Sequence, residues 1–141
     1  MPIDFKIVTP YGVTYIDEIE KVSIPTSSGM ITVHEKHAPL VSVLQSGEMT
    51  VHKLDGSMVI LALSGGFFEV QSESKVYIMA DTAERAEEID LNRAEEALAR
   101  AQELLRQEDK MADVDFAFLQ AKIEKEVVRI HIGKKYKDTH I

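Results

Sequence analysis

The chain has no cysteine and no tryptophan, and its aromatic residues make up only 6% of the sequence. The absence of cysteine excludes disulfides, thiolate metal sites and a cysteine nucleophile, and it fits a reducing compartment. The longest apolar run, residues 58–63, has strand length and falls far short of the roughly 20 residues that a membrane helix needs. The first residues show no basic segment followed by an apolar run, so no signal peptide is expected.

An excess of basic residues is also missing. The formal net charge is −8, and the sequence pI is about 5.1. Residues 1–83 carry five lysines against ten acidic residues, and residues 84–141 carry eleven basic residues against fourteen acidic ones. Binding along a nucleic-acid backbone normally needs a basic face, and the short basic tail over residues 134–141 does not supply one. The charge therefore predicts no nucleic-acid partner.

Proline and glycine are nearly absent from the second half of the chain. All four prolines and six of the seven glycines lie before residue 67, whereas all five arginines lie after residue 84. Proline and glycine mark turns, and their absence permits long helices. The predicted fold class is therefore α+β, with a β module over residues 1–83, a hinge over residues 84–89 and a helical module over residues 90–133.

The β module is predicted from short segments that alternate polar and apolar residues between turn signals. Asp55-Gly56 is the strongest two-residue hairpin signal, and residues 9–12 mark an earlier turn. The even spacing of the segments indicates an all-β sandwich or flattened barrel. Strands are predicted over residues 4–9, 13–16, 21–25, 30–33, 40–44, 49–54, 58–63, 67–70 and 75–80.

Two motifs in the β module allow a chemical interpretation. Gly65-Gly66 can form a phosphate cradle, but strands flank it on both sides, which favours a bulge or a close backbone approach. His34 and His37 can ligate a metal, but no third ligand is nearby in sequence, which favours a polar loop. No catalytic arrangement and no metal site are predicted.

The helical module begins with Asp90, a good N-cap residue. The apolar residues that follow are spaced by three and four, which predicts a narrow seam for one partner helix. Several members are alanines, so the partner can approach closely. The seam comprises Leu91, Ala94, Ala97, Leu98, Ala101, Leu104 and Leu105, and residues 107–112 break the pattern.

A second helix is predicted to start near Asp113 or Asp115 and to stop at Gly133. Two such helices with a short loop form an antiparallel hairpin. An isolated pair of this length is marginal in water, so alternative resting surfaces of similar energy would make the hairpin a switch. The predicted apolar stripe comprises Phe116, Leu119, Ile123, Val127 and Ile130.

Basic residues recur on both predicted helices. Arg93 and Arg100 are seven apart and share a face, as do Lys125 and Arg129, which are four apart. Folding of the hairpin can bring the two pairs together as an anion site. Ordinary solvated helix faces, with Glu96 and Arg100 as a favourable pair, are the alternative.

Ordered motifs add a family resemblance. Residues 8–10 with Gly12, then Gly29 with residues 37–40, and then residues 64–67 precede an Ala-rich helical hairpin. In this order and over residues 3–132, the chain resembles the epsilon subunit of bacterial F-type ATP synthase. Residues 35–36 are Glu-Lys where the family often has Pro-Gly, so that loop is expected to differ in shape.

The resemblance implies a non-catalytic subunit of the central stalk of a proton-translocating ATP synthase. Its β-sandwich would bind the gamma subunit and the rotor ring, and so couple the ring to the catalytic head of alpha and beta subunits. Its helical hairpin would be mobile and would inhibit ATP hydrolysis when extended into the head, partly through basic residues that face the beta subunit. The protein would be peripheral on the cytoplasmic face of the bacterial membrane, with no direct insertion.

Some members of that family bind ATP on the folded hairpin through an Ile-Asp-x-x-Arg-Ala motif, which is complete here in residues 89–94. The resemblance implies that the residues near adenine are Glu84, Ile89 and Asp90. It implies that the residues near the phosphates are Arg93, Arg100, Lys125 and Arg129. The ATP-binding pattern has Arg at the position of Lys125, and lysine keeps the charge without the planar fork. ATP is thus the expected regulatory ligand, and no cofactor is required.

Two other functions stay open at this stage. A free-standing ATP-sensing module would need the nucleotide site but no obligate partner. A small β-sandwich enzyme would need a cluster of reactive groups, for which His34 and His37 are the available candidates.

Overall fold

The computed structural model describes residues 2–107 and 113–136, with side chains from residue 115 onward in the second range. The chain divides into two compact units, and the boundary falls between Arg85 and Ala86. The first unit is a β-sandwich and the second is a pair of helices, which confirms the predicted fold class. Most of the predicted break over residues 107–112, and residues 137–141 of the predicted tail, lie outside the described residues.

Seven strands form the described part of the first unit. Two of them join segments that were predicted as separate strands, because residues 17–20 and 64–66 continue the ladder without a turn. The strands are β1 (Ile3–Thr9), β2 (Gly12–Thr26), β3 (Gly29–Val33), β4 (Leu40–Val43), β5 (Gly47–Lys53), β6 (Met58–Gln71) and β7 (Lys75–Arg85).

The strand pairings close into a ring. The order runs β1-β7-β6-β5-β2, and β2 returns to pair with β1. The β1–β7 pair is parallel and the other pairs are antiparallel. β3 extends the ladder at β2, and β4 pairs with the second half of β6. Because β2 and β6 each change partners along their length, they pass from one layer of the sandwich to the other.

The core of the first unit follows from the period of two in its strands. Ile3, Phe5 and Ile7 of β1 are fully buried, while the residues between them face outward. The Phe5 and Tyr15 rings meet edge to face with centroids 5.8 Å apart. The core is otherwise mainly aliphatic, as the composition predicts.

Gly65 and Gly66 lie inside β6 and both have positive φ. A Cβ atom on Gly66 would overlap the carbonyl oxygen of Met79 on β7, so the backbones approach too closely for any side chain. This confirms the predicted close approach. Ser64 pairs with Thr82 on the same two strands, and the register stays in step, so the motif is not a bulge.

The last strand of the first unit extends past residue 80, where the predicted strand ends, into the predicted hinge over residues 84–89. β7 continues to Arg85, whose backbone pairs with Leu61, and only a single 3₁₀ turn, Ala86–Glu88, follows. The strand continues because a segment distant in sequence, the first half of β6, pairs with it. In addition, residues 82–85 contain no glycine or proline that would end the ladder.

The second unit contains α1 (Leu91–Arg106) and α2 (Asp113–Lys135). Asp90 caps α1, as predicted, because its Oδ1 accepts a hydrogen bond from the Arg93 amide at 3.1 Å. Lys134 near the end of α2 lies 3.8 Å from Glu95 near the start of α1. The two helices pack against each other and therefore run antiparallel.

Gly133 does not stop α2, contrary to prediction. It is buried inside the helix, and a Cβ atom there would come within 2.7 Å of Leu91 Cδ2 and 3.1 Å of Ile89 Cγ2. The glycine is thus the point where the start of the second unit packs directly on the α2 backbone. α2 continues to Lys135, because nothing at Gly133 requires a left-handed conformation.

The predicted stripe of α2 is also partly wrong. Val127 is 50% exposed and Phe116 is 38% exposed. Among the described side chains of α2, the buried residues are instead Leu119, Glu126, Ile132 and Gly133. Three of them, Leu119, Glu126 and Gly133, recur every seven residues, as expected for packing against one partner helix. A charged residue and a glycine occupy two of these positions, so the apolar pattern misplaces the face.

Candidate anion-binding site on the helical hairpin

The predicted nucleotide residues fall on both units. Glu84 lies on β7 of the first unit, paired with Ala62. The remaining six belong to the second unit: Ile89, Asp90, Arg93, Arg100, Lys125 and Arg129.

A seam of small residues brings α1 close to α2. Ala94, Ala97 and Ala101 are buried on α1, as predicted. Leu104 was predicted in the same seam but is 50% exposed. The small alanine side chains at these three seam positions allow the helix axes to approach closely.

The register of the two helices follows from two contacts. Leu91 lies against Gly133, and Glu95 lies beside Lys134. Each step forward along α1 is matched by a step back along α2. Arg100 is therefore level with residues 124–129, the segment that contains Lys125 and Arg129.

The four predicted basic residues also lie on one side of the helix pair. In an antiparallel pair of right-handed helices, residues that directly precede seam positions lie on the same side of the pair. We call the side defined by these four residues the cationic side. Each directly precedes a buried or partly buried residue: Arg93 before Ala94, Arg100 before Ala101, Lys125 before Glu126 and Arg129 before Ile130.

The basic residues of α1 are exposed. The Arg93 side chain is 84% exposed, and its Nε lies 3.6 Å from Asp90 Oδ2, an exposed pair of small energetic value. Arg100 is exposed, with no hydrogen bond or ion pair to another residue in the described ranges. The predicted Glu96–Arg100 ion pair is therefore not formed.

The two α2 residues of the cationic side, Lys125 and Arg129, pair with a carboxylate that sequence reasoning missed. Glu126 is only 2% exposed, and its Oε2 accepts a hydrogen bond from Arg129 Nη1 at 2.8 Å. Lys125 Nζ lies 3.9 Å from the other carboxylate oxygen. The spacing of three residues between Glu126 and Arg129 predicts a pair, but the sequence gives no sign that the pair is buried.

The arrangement is suited to hold a polyanion. The four basic residues outnumber the single buried carboxylate, so the set carries a net positive charge in a protein that is negative overall. In residues 2–107 and 113–136, no cluster of three or more histidine and acidic side chains can hold a metal ion. His34 is exposed, and His37 Nδ1 lies 2.7 Å from the Ala38 carbonyl oxygen.

A second surface of functional interest crosses the outer face of the first unit. Residues paired across five neighbouring strands form a continuous line of apolar side chains on that face. Three of its members are 49–62% exposed and two are partly buried. We call it the outer apolar row, and it comprises Val13, Val8, Met79, Phe67 and Val43. Sequence reasoning missed it, because these residues are far apart in the sequence and are aligned only by the strand order of the folded sheet.

The chain thus combines a ring-closed β-sandwich with a helical hairpin that carries a cationic side. Residues 2–86 match the family described as ATP synthase, Delta/Epsilon chain, beta-sandwich domain. Residues 87–134 match ATP synthase, Delta/Epsilon chain, long alpha-helix domain. The chain belongs to the ATP synthase delta/epsilon chain family.

Curated relatives match over nearly the whole chain. The ATP synthase epsilon chain of Chloroflexus aggregans is 40% identical over 137 residues, covering 97% of this chain and 96% of that one. The ATP synthase epsilon chain of Geobacter sulfurreducens is 38% identical over 132 residues, covering 92% and 91%.

Solved structures share the fold at lower identity. A chain of the Euglena gracilis mitochondrial ATP synthase has a TM-score of 0.71 at 21% identity and covers 95% of this chain and 81% of that one. A chain in the central stalk/c-ring structure of Tetrahymena thermophila mitochondrial ATP synthase has a TM-score of 0.58 at 12% identity and covers 96% of each chain. In the part of this chain that the structure describes, neither helix combines the length and apolarity that a membrane crossing requires.

Proposed function

We propose that this protein is the epsilon subunit in the central stalk of a bacterial F-type ATP synthase. It is a non-catalytic rotor subunit, peripheral on the cytoplasmic face of the membrane, and it couples the membrane ring to the catalytic head. The observation that carries this proposal is the match of both units, in order, to the two domains of the family. Co-purification of the chain with a membrane ATPase tests it, and a chain found free of any such complex would favour a free-standing ATP sensor instead.

The outer apolar row supports docking of the first unit on the rotor. Apolar side chains aligned across five strands and exposed to water gain free energy when a protein partner covers them, so such a row is typical of an interface. The gamma subunit is the partner we assign to this row, and the rotor ring contacts the same unit elsewhere.

A charge placed in the outer apolar row should weaken docking. Val43→Asp would bury a carboxylate without a partner in the interface, so we expect at least about tenfold weaker binding to purified gamma subunit. The matched control is Leu54→Asp, because Leu54 is similarly exposed, at 58% against 62% for Val43, but lies outside the row. Equal binding by both variants would exclude the row as the docking surface.

The second unit acts in this proposal as an ATP-responsive inhibitor of hydrolysis. The cationic side would take the phosphates, and Glu84, Ile89 and Asp90 would lie near the adenine. Support comes from the complete motif over residues 89–94 and from the register that sets Arg100 level with residues 124–129. Bound ATP would stabilise the folded hairpin and oppose its extension into the catalytic head.

Removal of one arginine from the cationic side should weaken ATP binding. Arg93→Ala deletes a charged donor to phosphate, and we expect at least about a tenfold rise in Kd by calorimetric titration of the full chain. Arg106→Ala is the control, because Arg106 is an exposed arginine of the same helix, 3.3 Å from Glu103. Negligible binding by the wild type and both variants would remove the nucleotide site and leave the rotor role intact.

A further inference from the structure

Glu126 is the one buried carboxylate in the described part of the second unit, and nothing in the proposed nucleotide site uses it. It lies on the seam and pairs with Lys125 and Arg129, the two α2 residues of the cationic side. Its side chain is 2% exposed, against 17% for Arg129 and 35% for Lys125. The carboxylate therefore lies deeper in the helix pair than the two basic side chains that it contacts.

The pair that Glu126 makes with Arg129 is a strong one. Its 2.8 Å distance is that of a charge-assisted hydrogen bond, and burial reduces the screening that weakens exposed pairs. Lys125, at 3.9 Å, adds attraction to the same carboxylate. Without a bound anion, Glu126 thus offsets part of the positive charge of Lys125 and Arg129 and holds both side chains beside it.

The same contacts oppose an incoming anion. A phosphate that approaches Lys125 and Arg129 meets the negative charge of Glu126 at close range and competes with it for donors. We propose that Glu126 is an internal counter-ion that lowers the affinity of the cationic side for polyphosphate and shifts its response to higher ATP concentrations. This inference rests on the nucleotide site proposed above.

The test compares two substitutions that remove one negative charge from neighbouring positions of α2. Glu126→Gln keeps the shape of the side chain and loses its charge. Glu124→Gln is the matched control, because Glu124 is exposed on the same helix. Titration of the full chain with ATP should give a Kd at least about fivefold lower for Glu126→Gln than for the wild type, and a change within about twofold for Glu124→Gln.

Tripolyphosphate separates the phosphate effect from an effect on the base. If Glu126 acts at the phosphates, Glu126→Gln should tighten tripolyphosphate and ATP by similar factors. Unchanged or weaker ATP binding by Glu126→Gln, with wild-type binding intact, would overturn the role of Glu126 and leave the nucleotide site standing. No binding by the wild type or either variant would overturn both.

Glu126→Gln also leaves Arg129 without its buried carboxylate, so the hairpin can lose stability in the absence of ligand. Far-UV circular dichroism with and without ATP covers this case. Helicity that is lower than wild type without ATP and restored by ATP supports the counter-ion role. Helicity that saturating ATP does not restore would contradict it.

Discussion

Tyr15 shows how a single buried group makes the first unit sensitive to alkaline pH. Burial and the nearby Asp17 carboxylate, which accepts the phenol hydrogen bond at 3.2 Å, raise the pKa of Tyr15 from 10.0 to about 12. The Arg85 guanidinium, 5.5 Å from the ring centroid, acts in the opposite direction but is outweighed. The folded state therefore favours the neutral phenol more than the unfolded state does.

This raised pKa predicts a loss of stability at high pH. The contribution of Tyr15 is fully present below pH 10 and is lost as the pH rises through about 12. In an absorbance titration of tyrosinate, one of the four tyrosines should titrate about two pH units late, and that step should vanish in Tyr15→Phe. Simultaneous titration of all four tyrosines in the folded protein would contradict the account.

In the second unit, the packing of the helices depends on the absence of a side chain at Gly133. Gly133→Leu should lower the free energy of unfolding of the hairpin by about 2 kcal/mol or more, because the new side chain overlaps Leu91 and Ile89. His131→Leu, at an exposed position of the same helix, is the control and should be close to neutral. Thermal unfolding followed by the helical signal measures both. Shortening Leu91 to alanine in the Gly133→Leu chain should recover part of the loss, and equal stability of the two leucine variants would refute direct packing.

At the scale of elements, the sequence predicts most boundaries that depend on local chemistry. The turn at Asp55-Gly56 and the cap at Asp90 are correct, because turn and cap preferences act within a few residues. The errors occur where a distant segment decides. β7 extends to Arg85 because β6 is there to pair with it, and β6 continues through Gly65-Gly66 because β7 approaches closely.

The face of α2 shows why the candidate site was only partly predictable. Hydrophobic spacing assigns Val127 to the contact face, yet the structure buries Glu126 and Gly133. A carboxylate at a seam position is unfavourable unless it is paired, and only the folded helix shows that Arg129 and Lys125 provide that pairing. The four basic residues were predicted from the sequence and the family resemblance. The buried carboxylate that pairs with Lys125 and Arg129 was not.

At the scale of the whole molecule, the two units divide the proposed work. The first unit is a closed β-sandwich with a fixed aliphatic core and an apolar row on its surface, which suits a permanent attachment. The second unit packs through alanines and a glycine and carries four cations on its cationic side, which suits an element whose stability a bound anion can raise. The outer apolar row and the cationic side thus support docking and regulation separately.

In the proposed function, the hairpin of this rotor subunit inhibits ATP hydrolysis, and bound ATP relieves the inhibition. The direct measurement is ATP hydrolysis by a complex depleted of this chain, with saturating wild-type or Arg93→Ala chain added back over a range of ATP concentrations. Both chains should inhibit at low ATP. Inhibition by the wild type should be relieved as ATP rises, and inhibition by Arg93→Ala should persist to higher ATP. Hydrolysis that stays the same at every ATP concentration, with wild-type chain demonstrably bound, would contradict the account.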